Sequence, residues 1–106
     1  MGVLAALILQ AATPAAANAA DLRCLAVVAS GGIETPSRGG QAAGAMYFVG
    51  RIDARSPSFD YQAEMLKLIR SKADLGPDRA RCSALLKARG SALVDLSRGL
   101  QAQLAK

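Results

Sequence analysis

The residues of this 106-residue chain that could support chemistry are two cysteines, Cys24 and Cys82, and two carboxylates one helical turn apart, Asp60 and Glu64. Carboxylates at that spacing can act as a general acid and a general base. A place at the start of a helix explains them better, because negative side chains in a first turn complement the positive end of the helix dipole. The pair is therefore assigned no catalytic role.

The residues that most other catalytic mechanisms require are absent from the sequence. Histidine is absent from the sequence, which removes the commonest general base and the commonest metal ligand. Two cysteines are too few to close a zinc site, and no phosphate-binding or dinucleotide-binding glycine motif is present. The sequence predicts a protein that is not an enzyme, with no catalytic residue, no metal, no cofactor and no small-molecule substrate.

The amino-terminal residues have the pattern of an export signal. Residues 1–19 carry no charged side chain, an apolar run covers residues 3–9, and Ala17-Asn18-Ala19 forms an A-x-A cleavage site. Pro14 and Asn18 interrupt the apolar stretch before it reaches the length of a membrane span. We predict a signal peptide at 1–19, a single domain at 20–106, and a periplasmic or secreted location.

The cysteine pair fits that location. In an exported chain, Cys24 and Cys82 most simply form one disulfide, with two free thiols or intermolecular pairing as the alternatives. Closing so long a loop would stabilise the fold by roughly 4 kcal/mol, which is a large fraction of the stability of a small domain. The spacing is not that of a Cys-x-x-Cys redox enzyme.

Glycine and proline divide the remaining sequence into four predicted helices. The first covers 22–30, with Asp21 as its N-cap and Gly31-Gly32 at its end. The second covers about 41–55 and the third 60–73, with Gly76-Pro77 marking the end of the third; a loop at 31–40 precedes the second. The fourth covers about 77–104. The predicted fold class is all-α, a small bundle of about four helices with one disulfide joining helix 1 to helix 4.

Helical periodicity predicts which side chains form the core. The aromatic residues Phe48, Phe59 and Tyr61 are expected inside. On helix 2 the apolar side comprises Ala42, Ala45, Met46, Phe48, Val49 and Ile52, and on helix 3 it comprises Tyr61, Met65, Leu68 and Ile69. Helix 4 carries a long apolar stripe that Arg89 and Gly90 interrupt, so the helix either breaks there or, as we prefer, continues. That stripe consists of Cys82, Leu85, Leu86, Leu93, Leu96, Leu100 and Leu104.

A different surface of helix 2 is a candidate contact. Tyr47 and Arg51 are four residues apart and can stack ring against guanidinium, beside Gly44. Tyr47, Arg51 and Gly44 are predicted to meet a partner or a second copy. The alternative is a second packing surface within the chain, with Tyr47 half-buried.

The charge of the chain narrows the choice of partners. Thirteen Lys and Arg against eight Asp and Glu leave a net charge of +5, which suits an anionic envelope or membrane surface or an acidic protein. The basic residues are scattered, and no dense stripe for nucleic acid is present. A protein partner, a homodimer and an anionic envelope surface remain the candidate partners.

With its first cysteine in the first mature helix and its second early in a late helix, the layout around Cys24 and Cys82 resembles the HdeA family of periplasmic acid-stress chaperones. The resemblance implies that a disulfide staples the helices and that acid loosens a dimer to release apolar surface for unfolding clients. Carboxylates such as Asp53 or Asp95, if paired with Arg or Lys, would lose those pairs in acid. The function expected is that of an exported helical binding protein, an envelope-stress or acid-stress chaperone; the alternative is a cationic protein of the envelope surface without chaperone activity.

Overall fold

Four α-helices run through the residues that the computed structural model describes, which are 13–32 and 38–106. Helix α1 spans Pro14–Ala29, α2 Arg38–Arg55, α3 Tyr61–Arg70 and α4 Gly76–Leu104. This part of the chain contains no β-strand, and the all-α fold with about four helices is confirmed. Residues 1–12 of the predicted signal peptide and residues 33–37 of the predicted loop lie outside the described residues.

Helix α1 begins at Pro14, eight residues earlier than the sequence predicted. Thr13 takes the extended N-cap conformation and Pro14 occupies the first turn, where its missing N–H costs nothing. The alanine-rich residues 15–20 then favour continuation of the helix. The prediction of Asp21 as the N-cap is wrong: Asp21 lies in the middle of α1 and is buried.

The carboxyl end of α1 is the predicted one. Gly31 has a φ of +76°, a conformation that favours glycine. The N–H of Gly31 donates to Val28 O at 3.1 Å, and that of Gly32 donates to Val27 O at 2.8 Å. These two bonds form a Schellman motif, which satisfies carbonyls at the helix end and turns the chain toward α2.

Helices α3 and α4 start at different signals. Asp60 is the N-cap of α3, and its Oδ1 accepts a 3.0 Å hydrogen bond from the Ala63 N–H. Gly76 and Pro77 were predicted to end this helix, but α3 ends at Arg70 and these two residues begin α4. Proline is compatible with a first helical turn, so the pair starts a helix here rather than stopping one. Helix α4 is continuous through Arg89 and Gly90, as preferred from the sequence.

Helix α1 joins the other three. It packs most extensively on α2, then on α4, and least on α3. The core cluster comprises Cys24, Val28, Phe48 and Cys82, all buried. The predicted disulfide is present between Cys24 of α1 and Cys82 of α4, with a Cα–Cα distance of 5.4 Å.

The buried side of α2 is rotated from the predicted one. Phe48 and Ile52 are buried as expected, but Met46 is 66% exposed and Ala42 is also exposed, whereas Gly44 is buried. The reason is close packing: a Cβ built on Gly44 would lie 3.3 Å from Leu86 Cδ1 and 3.5 Å from Val28 Cγ1. The glycine thus lets α2 lie against both α1 and α4.

Helix α3 packs against the rest of the chain without burying any of its residues. Ile69, predicted on the inner side, is 65% exposed. Phe59 and Tyr61 are half-buried rather than in the core, and their rings meet edge to face with centroids 4.9 Å apart.

No helix among the described residues has the length and apolar character needed to cross a membrane.

Candidate binding surfaces

A buried carboxylate ties α1 to α2. Asp21 Oδ2 accepts a 3.1 Å hydrogen bond from Arg51 Nε and a second one from Arg55 Nη2. The Asp21 side chain is 2% exposed, so the two guanidinium groups supply the charge compensation that burial requires. The carboxylate therefore has a structural explanation, which is to join α1 to α2.

Asn18 extends the same cluster. Its Nδ2 donates to Ser56 Oγ at 2.9 Å, and its Oδ1 accepts from Arg55 Nε at 2.8 Å. Asn18 is buried, and it lies one residue before the end of the predicted signal peptide. Its contacts make the helix that precedes Ala20 part of the α1–α2 interface.

The predicted stack of Tyr47 and Arg51 is present. The Arg51 guanidinium carbon lies 5.5 Å from the Tyr47 ring centroid, and Arg51 Nη1 donates to the Tyr47 hydroxyl at 2.9 Å. Arg89 of α4 also lies over the ring, at 6.0 Å. Burial acts to raise the pKa of Tyr47, but the hydrogen bonds and charges of Arg51 and Arg89 outweigh it and lower that pKa below its ordinary value.

A second carboxylate cluster lies where α4 leaves α1. Asp78 accepts from Arg23 Nε and from Arg81 Nη2, both at 2.9 Å. Burial acts to raise the pKa of Asp78, and the hydrogen bonds and charges of Arg81 and Arg23 more than offset it, so the net shift is downward. Arg23 also donates to Asp74 O, which holds the turn before α4 against α1.

Three other carboxylates considered from the sequence are Asp53, Glu64 and Asp95, and they have either a nearby partner or no ion pair in the described part of the chain. The Tyr61 hydroxyl contacts Asp53 Oδ1 at 2.5 Å and Val49 O at 3.1 Å; burial, followed by the Asp53 hydrogen bond and charge, raises the pKa of Tyr61 to about 12. Glu64 pairs with Lys67 at 3.1 Å on the surface of α3. Neither Asp53 nor Asp95 forms an ion pair within the described residues, so the pairs suggested for them are not found there.

The three residues predicted to meet a partner are also used within the chain. Gly44 is buried between α1 and α4, and Arg51 binds Asp21. Tyr47 is half-buried against the core cluster, with its ring 5.0 Å from that of Phe48. The alternative of a second packing surface therefore describes Gly44 and much of Arg51, and the partner contact stays a prediction.

The outer half of α4 carries the most exposed apolar surface of the described chain. Every residue from 91 to 104 is exposed. The stripe predicted for the core is covered only as far as Leu86, and beyond it four leucines form what we call the leucine ridge: Leu93, Leu96, Leu100 and Leu104. Contiguous apolar patches of several hundred Å² on monomers usually mark interaction sites.

A groove separates α2 from α4 and leads to this ridge. It encloses about 370 Å³, with Gly40, Ala43 and Tyr47 on one wall and Leu86 and Gly90 on the other. Leu93 belongs both to the groove and to the leucine ridge. We call this feature the α2–α4 groove.

A second cleft, of about 560 Å³, lies between α1 and α3. Its lining includes Leu22 and Phe59 as apolar side chains, and Arg23, Glu64 and Lys67 as charged ones. Arg23 and the Glu64–Lys67 pair already have partners, which explains the charges at this cleft locally. No group of His, Cys, Asp and Glu side chains suited to a metal ion occurs in the described ranges.

Comparison of the chain with protein-family models, with curated proteins and with solved structures found no match.

Sequence reasoning missed Asp21 and Asp78 as buried charges and missed the uncovered part of α4. A signal for Asp21 exists in retrospect: it lies four residues before apolar Leu25 and three after Asn18 on one helical side. Nothing in the local pattern of α4 distinguishes its covered half from its exposed half. That difference depends on where α1 ends.

Proposed function

We propose that this chain is an exported helical binding protein that captures apolar segments of other proteins, with chaperone-like activity in the cell envelope. The observation that carries the proposal is the leucine ridge, which projects four leucines into solvent on a helix anchored by a disulfide. Such a surface suits contacts whose driving force is burial of apolar area.

The ridge is suited to apolar rather than electrostatic binding. Between residues 90 and 104 the only charged side chains are Asp95 and Arg98, which cancel each other in net charge. The 3.6-residue repeat puts both on the side of α4 opposite the ridge. Capture through this surface should therefore depend little on salt concentration.

The test is suppression of aggregation. Citrate synthase is heated in the presence of the purified oxidised chain, and light scattering is recorded. We expect the wild-type chain to reduce scattering and the double variant Leu96→Gln/Leu100→Gln to lose most of that protection. Glutamine is a good helix former, so α4 should persist.

A matched control replaces two comparably exposed apolar side chains that lie outside the leucine ridge. Met46 and Ile69 are 66% and 65% exposed, comparable with the two ridge leucines, and they lie on α2 and α3. The variant Met46→Gln/Ile69→Gln should protect as well as wild type. Absence of protection by the wild-type chain, or equal loss in both variants, would contradict the proposed role of the ridge.

An acid-stress role, which the HdeA resemblance implies, is supported by the Asp78 cluster. Because Arg81 and Arg23 lower its pKa, Asp78 stays charged at neutral pH and loses these contacts when acid protonates it. Sedimentation and apolar-dye binding between pH 7 and pH 2 would test this role. A gain in dye binding on acidification supports it, and a pH-independent species contradicts it.

The second candidate is a cationic protein of the envelope surface. The net charge of +5 favours it, as do three exposed cations: Arg70 at the end of α3, Lys72 just after it, and Arg79 early in α4. Binding to vesicles containing phosphatidylglycerol should then fall steeply with added salt. Salt-independent protection of citrate synthase combined with no vesicle binding would favour the first candidate over this one.

A further inference from the structure

The α2–α4 groove has the form of a cleft between two helices that lacks a third. On α2 its lining residues are Gly40, Ala43, Gly44 and Tyr47, and on α4 they include Ser83, Leu86, Lys87 and Gly90. Both sets follow the i, i+3, i+4, i+7 spacing that defines one side of a helix. Two facing helical sides with about 370 Å³ between them can accept the apolar side of another helix.

Small residues set the depth of the groove. Gly44 lets Leu86 approach α2 closely, and both residues line the groove. On the opposite wall, a Cβ built on Gly90 would meet no atom within 4 Å, so the space in front of this glycine is open. A helix can therefore approach α4 closely at Gly90.

The groove and the leucine ridge form one continuous apolar track. Leu86 lies at the groove, Leu93 belongs to both, and the ridge continues to Leu104. Nineteen residues from Leu86 to Leu104 span about 27 Å at the helical rise, which matches an amphipathic helix of about 18 residues. This length exceeds what a small molecule in the groove alone would cover.

The charges that line the groove are positive, which favours a negatively charged binding segment. Lys87 and Arg89 line it, and no carboxylate does so among the described residues. Neither cation forms an ion pair with a carboxylate in that part of the chain. Arg89 lies over the Tyr47 ring, whose hydroxyl already accepts from Arg51.

We propose that this track docks an amphipathic helix of another protein, with leucine-like side chains along one side and carboxylates flanking them where they meet Lys87 and Arg89. The inference deepens the proposed binding function and depends on it. It names the class of segment that the protein would prefer.

A second copy of this chain fits the track less well than an acidic helix. On α3 the exposed apolar side chains are Leu66 and Ile69, and the residues that follow them, Lys67 and Arg70, are basic. The ridge itself presents no carboxylate, since Asp95 lies on the other side of α4. Pairing two copies would bring cations toward cations on chains that each carry a net charge of +5.

The test uses three fluorescently labelled peptides of about 18 residues. The first has leucine at i, i+3, i+4, i+7 spacing flanked by glutamate, the second replaces each glutamate by lysine, and the third scrambles the leucine positions. Fluorescence anisotropy with the full oxidised chain should show the glutamate peptide binding at least about tenfold more tightly than either of the others at low salt.

Two variants locate the site. Lys87→Glu/Arg89→Glu should reverse the preference toward the lysine peptide, and the charge-matched control Arg70→Glu/Lys72→Glu, at exposed positions outside the groove, should leave it unchanged. Gly90→Leu fills the open space in the groove and should weaken binding at least about tenfold while favouring the helix, because leucine has the higher helix propensity.

Equal binding of all three peptides, or no change in preference with Lys87→Glu/Arg89→Glu, would overturn the inference. So would a stable dimer in sedimentation that the glutamate peptide fails to dissociate, because a second copy would then occupy the track. The same variants are assayed with citrate synthase. Retained protection without peptide selectivity would overturn this inference and leave the proposed function intact, whereas failure of the wild-type chain to protect would contradict the function itself.

Discussion

Arg23 of α1 donates a 2.9 Å hydrogen bond from its Nε to Oδ2 of Asp78 on α4. Arg23 directly precedes Cys24, and Asp78 lies one helical turn before Cys82, so this ion pair is next to the disulfide that joins the two helices. The covalent bond and the ion pair thus act at the same crossing of α1 and α4. This crossing anchors α4, and the leucine ridge extends from it.

The Asp78 cluster makes stability depend on pH. The pKa of Asp78 is lowered in the folded state, so its contribution to stability is present above the unfolded value of 3.8 and is lost as the pH falls through the folded value. Asp78→Asn should lower the free energy of unfolding by about 1–3 kcal/mol at pH 7. Urea unfolding should show this gap narrowing below pH 3.8; a gap of constant size down to pH 2 would argue against the ion-pair explanation.

Asp21 should be the carboxylate whose loss is most costly. Asp21→Ala leaves Arg51 and Arg55 without their carboxylate at the α1–α2 interface. Breaking a buried ion pair by removing one partner costs about 3–5 kcal/mol, and the exposure of the two arginines places the expected loss at about 2–4 kcal/mol. Thermal unfolding measures it, with Asp95→Ala, an exposed position, as the control expected to change little.

Reduction of the disulfide should destabilise the whole domain. The bond joins residues 58 apart, and loss of that constraint on the unfolded chain is expected to cost roughly 4 kcal/mol. Cys24→Ser/Cys82→Ser should shift the urea midpoint down by the same amount as dithiothreitol treatment of the wild type. A midpoint unaffected by dithiothreitol would mean that the bond adds no stability.

Residues before Ala20 should contribute to stability. Asn18 bonds to Ser56 and Arg55, and loss of these buried contacts is expected to cost about 1–2 kcal/mol. We expect Asn18→Ala, and a chain beginning at Ala20, to unfold at lower urea than a chain beginning at Thr13. Mass spectrometry of the exported protein gives its amino terminus and shows which of these chains corresponds to the mature form.

The two tyrosines should titrate separately. The chain contains only Tyr47 and Tyr61, so ultraviolet absorbance of phenolate should rise in two steps. The pKa of Tyr47 lies below 10.0 and that of Tyr61 is about 12. Tyr47→Phe should remove the lower step and Tyr61→Phe the upper one, with circular dichroism recorded at each pH to confirm that the fold persists. A single step in the wild-type protein would contradict the assigned environments.

Local signals in the sequence predicted much of the fold correctly. Asp60 was placed at the start of α3, Gly31 at the end of α1, and Tyr47 next to Arg51, because caps, glycine turns and i, i+4 neighbours involve residues close together in the chain. The disulfide was predicted because an exported chain with two cysteines offers one pair.

Tertiary packing decided the rest. Aspartate is common at helix N-caps, but Asp21 forms a buried ion pair with arginines thirty or more residues away in the chain. No local sequence pattern reports such distant partners. Gly44 is buried because two other helices meet there.

The sequence by itself predicted four helices and most of their ends, though not the start of α1, since these depend on short-range periodicity and on breakers. It also favoured one disulfide, because the chain has only two cysteines. The tertiary structure decided how the helices lie against one another: α1, which ends at Ala29, packs beside the first part of α4 and leaves the part up to Leu104 without a neighbour among the described residues. The periodicity of α4 is the same along its whole length, so only the extent of its neighbour determines that Leu86 packs against the core and that Leu93, Leu96, Leu100 and Leu104 remain exposed.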